Sequence, residues 1–172
     1  MIAPFILAAA MPSTPDLGKA AGQCRPGEHG PAYLVDVAGL KDRRGRLKLE
    51  LYPDNDTDFL ADDNILLSAG KPFRRVEVPV PASGPVQLCI RAPGPGAYAL
   101  SLLHDRDANR HFTLSMDGIG FASNPHLGLS KPHAAAASAP VGSGPTHITI
   151  VVNYRRGLFS FGPLKETADA RR

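Results

Sequence analysis

Short runs in which apolar and polar residues alternate are the feature that most limits how this chain can fold. In residues 46–52 the apolar side chains Leu47, Leu49 and Leu51 alternate with polar ones, so a strand there would bury one face only. Similar runs recur along the chain, and 17 glycines and 17 prolines supply turns between them. This pattern predicts an all-β fold, an antiparallel sandwich of about seven short strands.

Individual strands and their pairing can be predicted from the same pattern. The charged link of residues 41–45 is typical of a turn, so we expect the strands on either side of it to form a hairpin. Pro79 indicates an edge strand, because proline cannot donate to the sheet ladder. Helix is expected only within residues 57–67. The predicted strands are residues 32–37, 46–52, 74–80, 86–92, 97–104 and 147–154.

Length and charge limit the domain organisation and the partners. The chain has 172 residues, of which 43% are hydrophobic, and this is enough for one domain with a real core. We expect a signal peptide and linker at 1–21, the β-sandwich domain at 22–155 and a C-terminal tail at 156–172. The net charge is +3, and the basic residues are scattered in pairs rather than clustered, which argues against nucleic acid as a partner.

The first residues of the chain have the pattern of an export signal. Residues 2–11 are apolar apart from Pro4, and small residues near Ala10 suit a signal peptidase. The run is about half of the roughly 20 residues that span a bilayer, and we expect no integral membrane segment. Cleavage near Ala10 and a periplasmic or secreted protein are therefore expected. No lysine or arginine precedes the run, so an apolar tail or a wrongly assigned start codon is the alternative.

The two cysteines, Cys24 and Cys89, suit an exported protein. An even number of cysteines in an oxidising compartment predicts a disulfide bond. Alternation in residues 86–91 places Cys89 on the face opposite the apolar side chains, where a linker crossing the sheet can reach it. Two unrelated thiols are the alternative.

The order of several motifs resembles a known bacterial family. The motifs are residues 35–40, 45–52 and 58–60, the Pro-Gly turn before Tyr98, the pair His104 and Asp105 with its polar loop, and residues 120–124. Together they resemble the bacterial domain-of-unknown-function 2141 family over residues 32–154. The resemblance implies an exported immunoglobulin-like or transthyretin-like sandwich with no established activity. Members often have a glycine in the polar loop where this chain has Arg110 and His111, which argues against ion binding there.

Tyr98 has a structural interpretation. It follows Gly96 and Ala97 at the start of a late strand, which is similar to the tyrosine corner of immunoglobulin-like sandwiches. In a tyrosine corner the hydroxyl group bonds to the backbone a few residues upstream. The alternative is an ordinary core aromatic residue.

The polar loop after residues 97–104 carries part of a calcium-binding motif. Asp105, Asp107 and Asn109 match positions one, three and five of a calcium loop. Positions six and twelve carry neither the glycine nor the glutamate of that motif. His104 precedes the loop and is a further candidate ligand, for a transition metal. The alternative is a solvated turn in which Asp and Asn cap the local backbone.

The segment of residues 104–124 is too long for a hairpin turn. Long loops in compact domains are uncommon and often functional. We expect Ile119 and Phe121 to be buried beneath the end of the sandwich. The expected binding surface is an exposed patch of three other apolar side chains from this segment, Phe112, Leu114 and Met116. The alternative is that all five side chains plug the open end of the sandwich.

Motifs for catalysis are absent from the sequence. It has no nucleophile elbow, no phosphate-binding loop and no dinucleotide fingerprint, so we expect no enzyme and no cofactor. The sequence favours a non-catalytic binding or structural module of the bacterial cell envelope, with an envelope protein or glycan as its partner. The alternative is a metal-binding envelope protein that holds calcium or a transition metal in the loop of residues 104–111.

Overall fold

In the computed structural model, which describes residues 15–158 and 160–164, the chain forms two β-sheets that pack face to face. The helical segments are α1 (Lys19–Gly22), α2 (Asp63–Ser68) and a 3-10 turn (Ala134–Ala137). In chain order the strands are β1 (Ala32–Ala38), β2 (Arg46–Pro53), β3 (Arg74–Pro79), β4 (Val86–Arg91), β5 (Gly96–Asp105), β6 (Gly118–Phe121), β7 (Ser138–Val141), β8 (Pro145–Val151), β9 (Asn153–Arg155) and β10 (Phe161–Pro163). The predicted all-β sandwich is confirmed.

The smaller sheet has the strand order β4-β1-β8, and the larger one has the order β10-β9-β6-β5-β2-β3, with β7 also paired to β5. Neighbouring strands are antiparallel in both sheets except β1 and β8, which run parallel with Val35 opposite Ile148. The antiparallel prediction is therefore wrong for this pair. Parallel strands need a long crossover connection. Here that connection includes five strands of the larger sheet, which lie between β1 and β8 in chain order. Pro79 ends β3, the edge strand of the larger sheet, as predicted.

The predicted hairpin between β1 and β2 is wrong. β1 pairs with β4 and β8, whereas β2 pairs with β3 and β5 in the other sheet. The buried side chains of β1, such as Tyr33, face Leu47 and Leu49 of β2 across one core, which a hairpin within one sheet would prevent. Gly45 ends the link with φ +72, where an added Cβ would lie 1.9 Å from the carbonyl oxygen of Asp105.

The core has two parts, one on each face of the larger sheet. Between the sheets, alternate residues of β2, β4 and β5 are buried, as their sequence pattern predicts. On the outer face, the segments 54–73 and 122–137 cover the sheet with a second apolar cluster that includes Tyr52, Phe59 and Phe121. The rings of Phe59 and Phe121 meet edge to face at 5.8 Å. Because of this cover, β5 is buried on both faces from Ala99 onward.

Two glycines in β6 let it pack directly on the end of the chain. A Cβ at Gly118 would lie 2.4 Å from side-chain atoms of Val152 and Tyr154. A Cβ at Gly120 would lie 2.6 Å from the side chain of Ile150. Only glycine therefore fits at these two positions, and the close approach holds the far end of the segment 104–124 against the sandwich.

Tyr98 makes the contact that the tyrosine-corner interpretation predicts. Its hydroxyl donates to the backbone carbonyl of Gly94 at 3.1 Å, four residues upstream. The bond ties the Pro-Gly turn to the start of β5.

The division at residues 22 and 155 stays a prediction, and short elements lie beyond both of these limits. α1 begins inside the predicted signal peptide and linker at 1–21, ends at Gly22 and packs on β3. β10 pairs with β9 inside the predicted tail, because a three-residue strand has too little alternation to be recognised in a sequence. The expected export signal and its cleavage near Ala10 lie outside the described residues. In the described part of the chain, no helix is long and apolar enough to span a bilayer.

The predicted disulfide bond is confirmed. Cys24 and Cys89 are bonded, with their Cα atoms 5.9 Å apart. Cys89 lies on the outer face of β4, and Gln23 forms an isolated bridge to Ile90 beside it. The bond therefore fastens residues 23 and 24 to β4, an edge strand of the smaller sheet.

Reduction of this disulfide should lower the melting temperature. The bond closes a loop across 65 residues, which restricts the unfolded chain and stabilises the fold by roughly 4 kcal/mol on the chain-entropy estimate. Calorimetry with and without reductant measures the change. The double variant Cys24→Ser/Cys89→Ser is the control, since reductant should not alter its melting temperature. An unchanged melting temperature in the native chain would contradict the prediction.

Candidate functional site

Asp105, at the end of β5, shapes the first half of the loop of residues 106–117. The buried carboxylate accepts the backbone N–H groups of Asn109 at 3.1 Å and Arg110 at 2.7 Å. These bonds accompany left-handed backbone conformations at Ala108 (φ +57) and Arg110 (φ +68), which residues other than glycine rarely adopt. Arg110 therefore has the conformation that favours glycine at this position. The sequence departure at Arg110 changes the side chain and leaves the turn intact.

Asp117 closes the loop from its other end. The buried carboxylate accepts the backbone N–H groups of Arg106 at 2.9 Å and Thr113 at 2.7 Å. One oxygen each from Asp105, Asp107 and Asp117 lie within 4.8 Å of one another. Burial, together with Asp107 and Asp117, raises the pKa of Asp105 above its ordinary value. The sequence pattern missed Asp117 because it lies one residue beyond the twelfth position of a calcium loop.

His104 is not part of this carboxylate cluster, and its proposed place in a ligand set with Asp105 is corrected. Neighbouring residues of a strand face opposite sides, so His104 lies in the core between the sheets. The Tyr154 hydroxyl accepts the N–H of Lys41 and lies 2.6 Å from Nδ1 of His104. Nε2 lies 2.8 Å from the carbonyl oxygen of Arg44. Both ring nitrogens of His104 therefore have hydrogen-bond partners within the fold.

The side chain of Asn109 also serves the loop itself. Its Oδ1 accepts the backbone N–H of His111 at 2.7 Å, and its Nδ2 donates to the carboxylate of Asp107 at 2.9 Å. The predicted group of His104, Asp105, Asp107 and Asn109 thus divides into a core histidine, a loop-ordering amide and two carboxylates that Asp117 joins.

An apolar groove lies on the outer face of the larger sheet, beside the second half of the loop. Its volume is about 250 Å³. Five segments supply apolar side chains to its lining. They are Leu60, which precedes α2; Phe112 and Leu114 of the loop; Ile119 and Phe121 of β6; Leu127 and Leu129; and Phe161 of β10. The side chain of Phe121 is buried beneath the groove, whereas Leu129 is 80% exposed.

The expected exposed patch can be compared with this groove. Phe112, Leu114 and Met116 are 42%, 49% and 40% exposed. Phe112 and Leu114 line the groove, and the ring of Phe112 contacts the ring of Phe161 at 6.1 Å. Met116 is exposed beside the groove and does not line it. None of these three side chains belongs to the core between the sheets.

Fold and site together define a class of protein: an all-β sandwich whose larger sheet carries a long, carboxylate-ordered loop next to an apolar groove. Residues 35–149 match the family model described as "Uncharacterized protein conserved in bacteria (DUF2141)", and the chain belongs to this family. No curated protein matches the chain, and no solved structure matches it. The resemblance noted in the sequence is confirmed, and the comparisons add no activity to it.

The buried His104 should make stability depend on pH. Burial lowers its pKa below the ordinary value of 6.5, so the unfolded chain takes up a proton first as the pH falls. The free energy of unfolding should therefore be maintained above pH 6.5 and decrease below it. Urea unfolding between about pH 5 and pH 8 measures this. His104→Gln should flatten the decrease, whereas the exposed His111→Gln should keep it. Parallel profiles for His104→Gln and the native chain would refute the assignment.

Proposed function

We propose that this protein is a non-catalytic, exported binding module of the bacterial cell envelope, and that the apolar groove is its binding surface. The observation that carries the proposal is the exposure of Phe112, Leu114 and Leu129 around one concave site. Contiguous exposed apolar surface with a polar rim is typical of sites that bind another molecule. The sheet supports one side of the groove, because Phe121 of β6 lines it and is buried against Phe59.

The chemistry of the groove favours a protein segment over a glycan. Sugar hydroxyl groups would lose hydrogen bonds to water against an apolar lining, whereas one or two apolar side chains would gain by burial. Among the described residues that line the groove, the charged one is Lys131. Its ammonium group donates to the carbonyl oxygens of Asp56 and Phe59. The proposed partner therefore presents adjacent apolar side chains with a carboxylate nearby to face Lys131.

Two observations support export and a role without catalysis. The disulfide between Cys24 and Cys89 suits an oxidising compartment such as the periplasm. The sequence carries none of the nucleophile, phosphate or dinucleotide motifs that would suggest a reaction.

Substitution of Leu114 by Glu should abolish partner binding without unfolding the protein. Leu114 is half exposed, so its charge should change the free energy of unfolding by less than about 1 kcal/mol. A photoreactive residue at position 129 should form one discrete adduct in envelope extract, and Leu114→Glu should prevent it. Ile65→Glu is the matched control, because Ile65 is exposed on α2 outside the groove. Loss of several kcal/mol of stability in Leu114→Glu, with the adduct retained, would instead make the loop a structural plug.

A calcium site at the loop is a second candidate function, and the convergence of Asp105, Asp107 and Asp117 favours it. Two of these carboxylates are buried, and a bound cation would offset the repulsion that remains between them beyond their bonds to backbone N–H groups. Carboxylate oxygens are ligands that calcium prefers, and the core position of His104 removes the argument for a transition metal.

Calcium should raise the melting temperature if this second candidate is correct. Binding to the folded state alone stabilises it by mass action, and extracellular calcium modules bind at about 10⁻⁴ to 10⁻³ M. Thermal unfolding in calcium and in chelator measures the shift. Asp107→Asn should remove it, while Asp16→Asn, an exposed change outside the loop, should not. No shift at millimolar calcium would eliminate this candidate.

A further inference from the structure

A second concave surface lies at the first half of the loop, and its lining is charged. The cavity measures about 320 Å³, near the lower end of the range for small-molecule sites. It is lined by Lys48 of β2, Arg75 and Glu77 of β3, Asn109, Arg110 and His111 of the loop, and Pro15. It shares none of these residues with the apolar groove.

Positive charge exceeds negative charge at one wall of this cavity. The carboxylate of Glu77, with its side chain only 3% exposed, is contacted by Arg46, by Lys19 at 3.7 Å and by Arg110 at 3.4 Å. Burial alone would raise the pKa of Glu77, but these three cations hold it below its ordinary value. Asp16 also pairs with Lys19, but it is exposed and screened by water. One buried negative charge therefore meets three positive ones.

The neighbouring part of the cavity does not offset this surplus. The guanidinium of Arg75 bonds to the carboxylates of Glu50 and Asp63, at 2.7 Å and 3.0 Å. Lys48 lies 3.5 Å from the same carboxylate of Glu50. Two cations and two carboxylates are balanced here. Among the side chains that line the cavity, Lys48, Arg75 and Arg110 outnumber the one carboxylate, Glu77.

The loop holds Arg110 at the mouth of this cavity in a conformation that arginine rarely adopts. Its φ of +68 is maintained by the bond from its backbone N–H to Asp105. Its side chain is 46% exposed, and a guanidinium has further donors beyond the Nε that meets Glu77. Backbone strain of this kind persists where the surrounding structure enforces it and is concentrated at functional sites.

We propose that this cavity binds the oxyanion group of a small ligand, a phosphate or a carboxylate, and that Arg110 and Lys48 are the cations that contact it. Three cationic side chains in the lining oppose a metal cation inside this cavity, and a charged lining opposes an apolar ligand. Free inorganic phosphate and an acidic sugar share the required chemistry. This site is separate from the proposed groove for a protein partner.

Binding of two probes, inorganic phosphate and glucuronate, to the purified full chain tests the proposal. Backbone NMR at constant ionic strength should reveal saturable shifts at residues 109–111 and in β3. Arg110→Gln should weaken binding about tenfold, the loss expected for one charge-assisted hydrogen bond. Lys48→Gln should weaken it as well. Arg25→Gln is the matched control, because it removes the same charge from an exposed site outside the cavity.

The outcomes separate the two ligand sources from failure of the proposal. Saturation by phosphate alone assigns free phosphate, and saturation by glucuronate alone or by both probes assigns a site that accepts acidic sugars. No saturable shift with either probe would overturn the proposal, as would equal weakening by Arg25→Gln, which indicates diffuse attraction only. Leu114→Glu should leave anion binding unchanged, so failure of the groove and failure of this cavity can be distinguished.

Discussion

Burial of β5 on both faces is the constraint on which the remaining structure rests. Leu100 and Leu102 face the core between the sheets, while Ala99 faces the second apolar cluster on the outer side. β2 pairs with residues 98–105 along one edge of β5, and β6 and β7 share the other edge. A strand held on four sides cannot shift its register without exposing one of the two clusters. Its last residue, Asp105, is therefore a rigid starting point for the loop.

From that point, two carboxylates rather than apolar packing shape the loop. Asp105 and Asp117 each accept two backbone N–H groups, which gives four donors of the loop a carboxylate partner. One half of the loop then borders the charged cavity, and the other half borders the apolar groove. A single ordered loop on a rigid strand thus presents two surfaces of different chemistry, which suits a module that binds more than one kind of ligand.

Much of the fold could be predicted from the sequence, because alternation states which face of a strand is buried. The buried faces of β2 and β4, the edge position of Pro79 and the Cys24–Cys89 bond all agree with the structure. Alternation does not identify the neighbouring strand, and this is why the β1–β2 hairpin was wrong and the parallel pair of β1 and β8 was missed. The segments 54–73 and 122–137 that cover the outer apolar cluster have no strand periodicity, so their packing on the sheet could not be predicted.

The candidate site divides in the same way between local and long-range information. That His104 and Asp105 face opposite sides of the sheet follows from the sequence alone, because successive side chains of a strand alternate. That Asp105 and Asp117 form one site was decided by the tertiary structure, because the two residues meet only where β6 pairs with β5. Arg110 illustrates the limit: a residue type states a conformational preference, but hydrogen bonds to a buried carboxylate overrode that preference and placed its charge at the cavity.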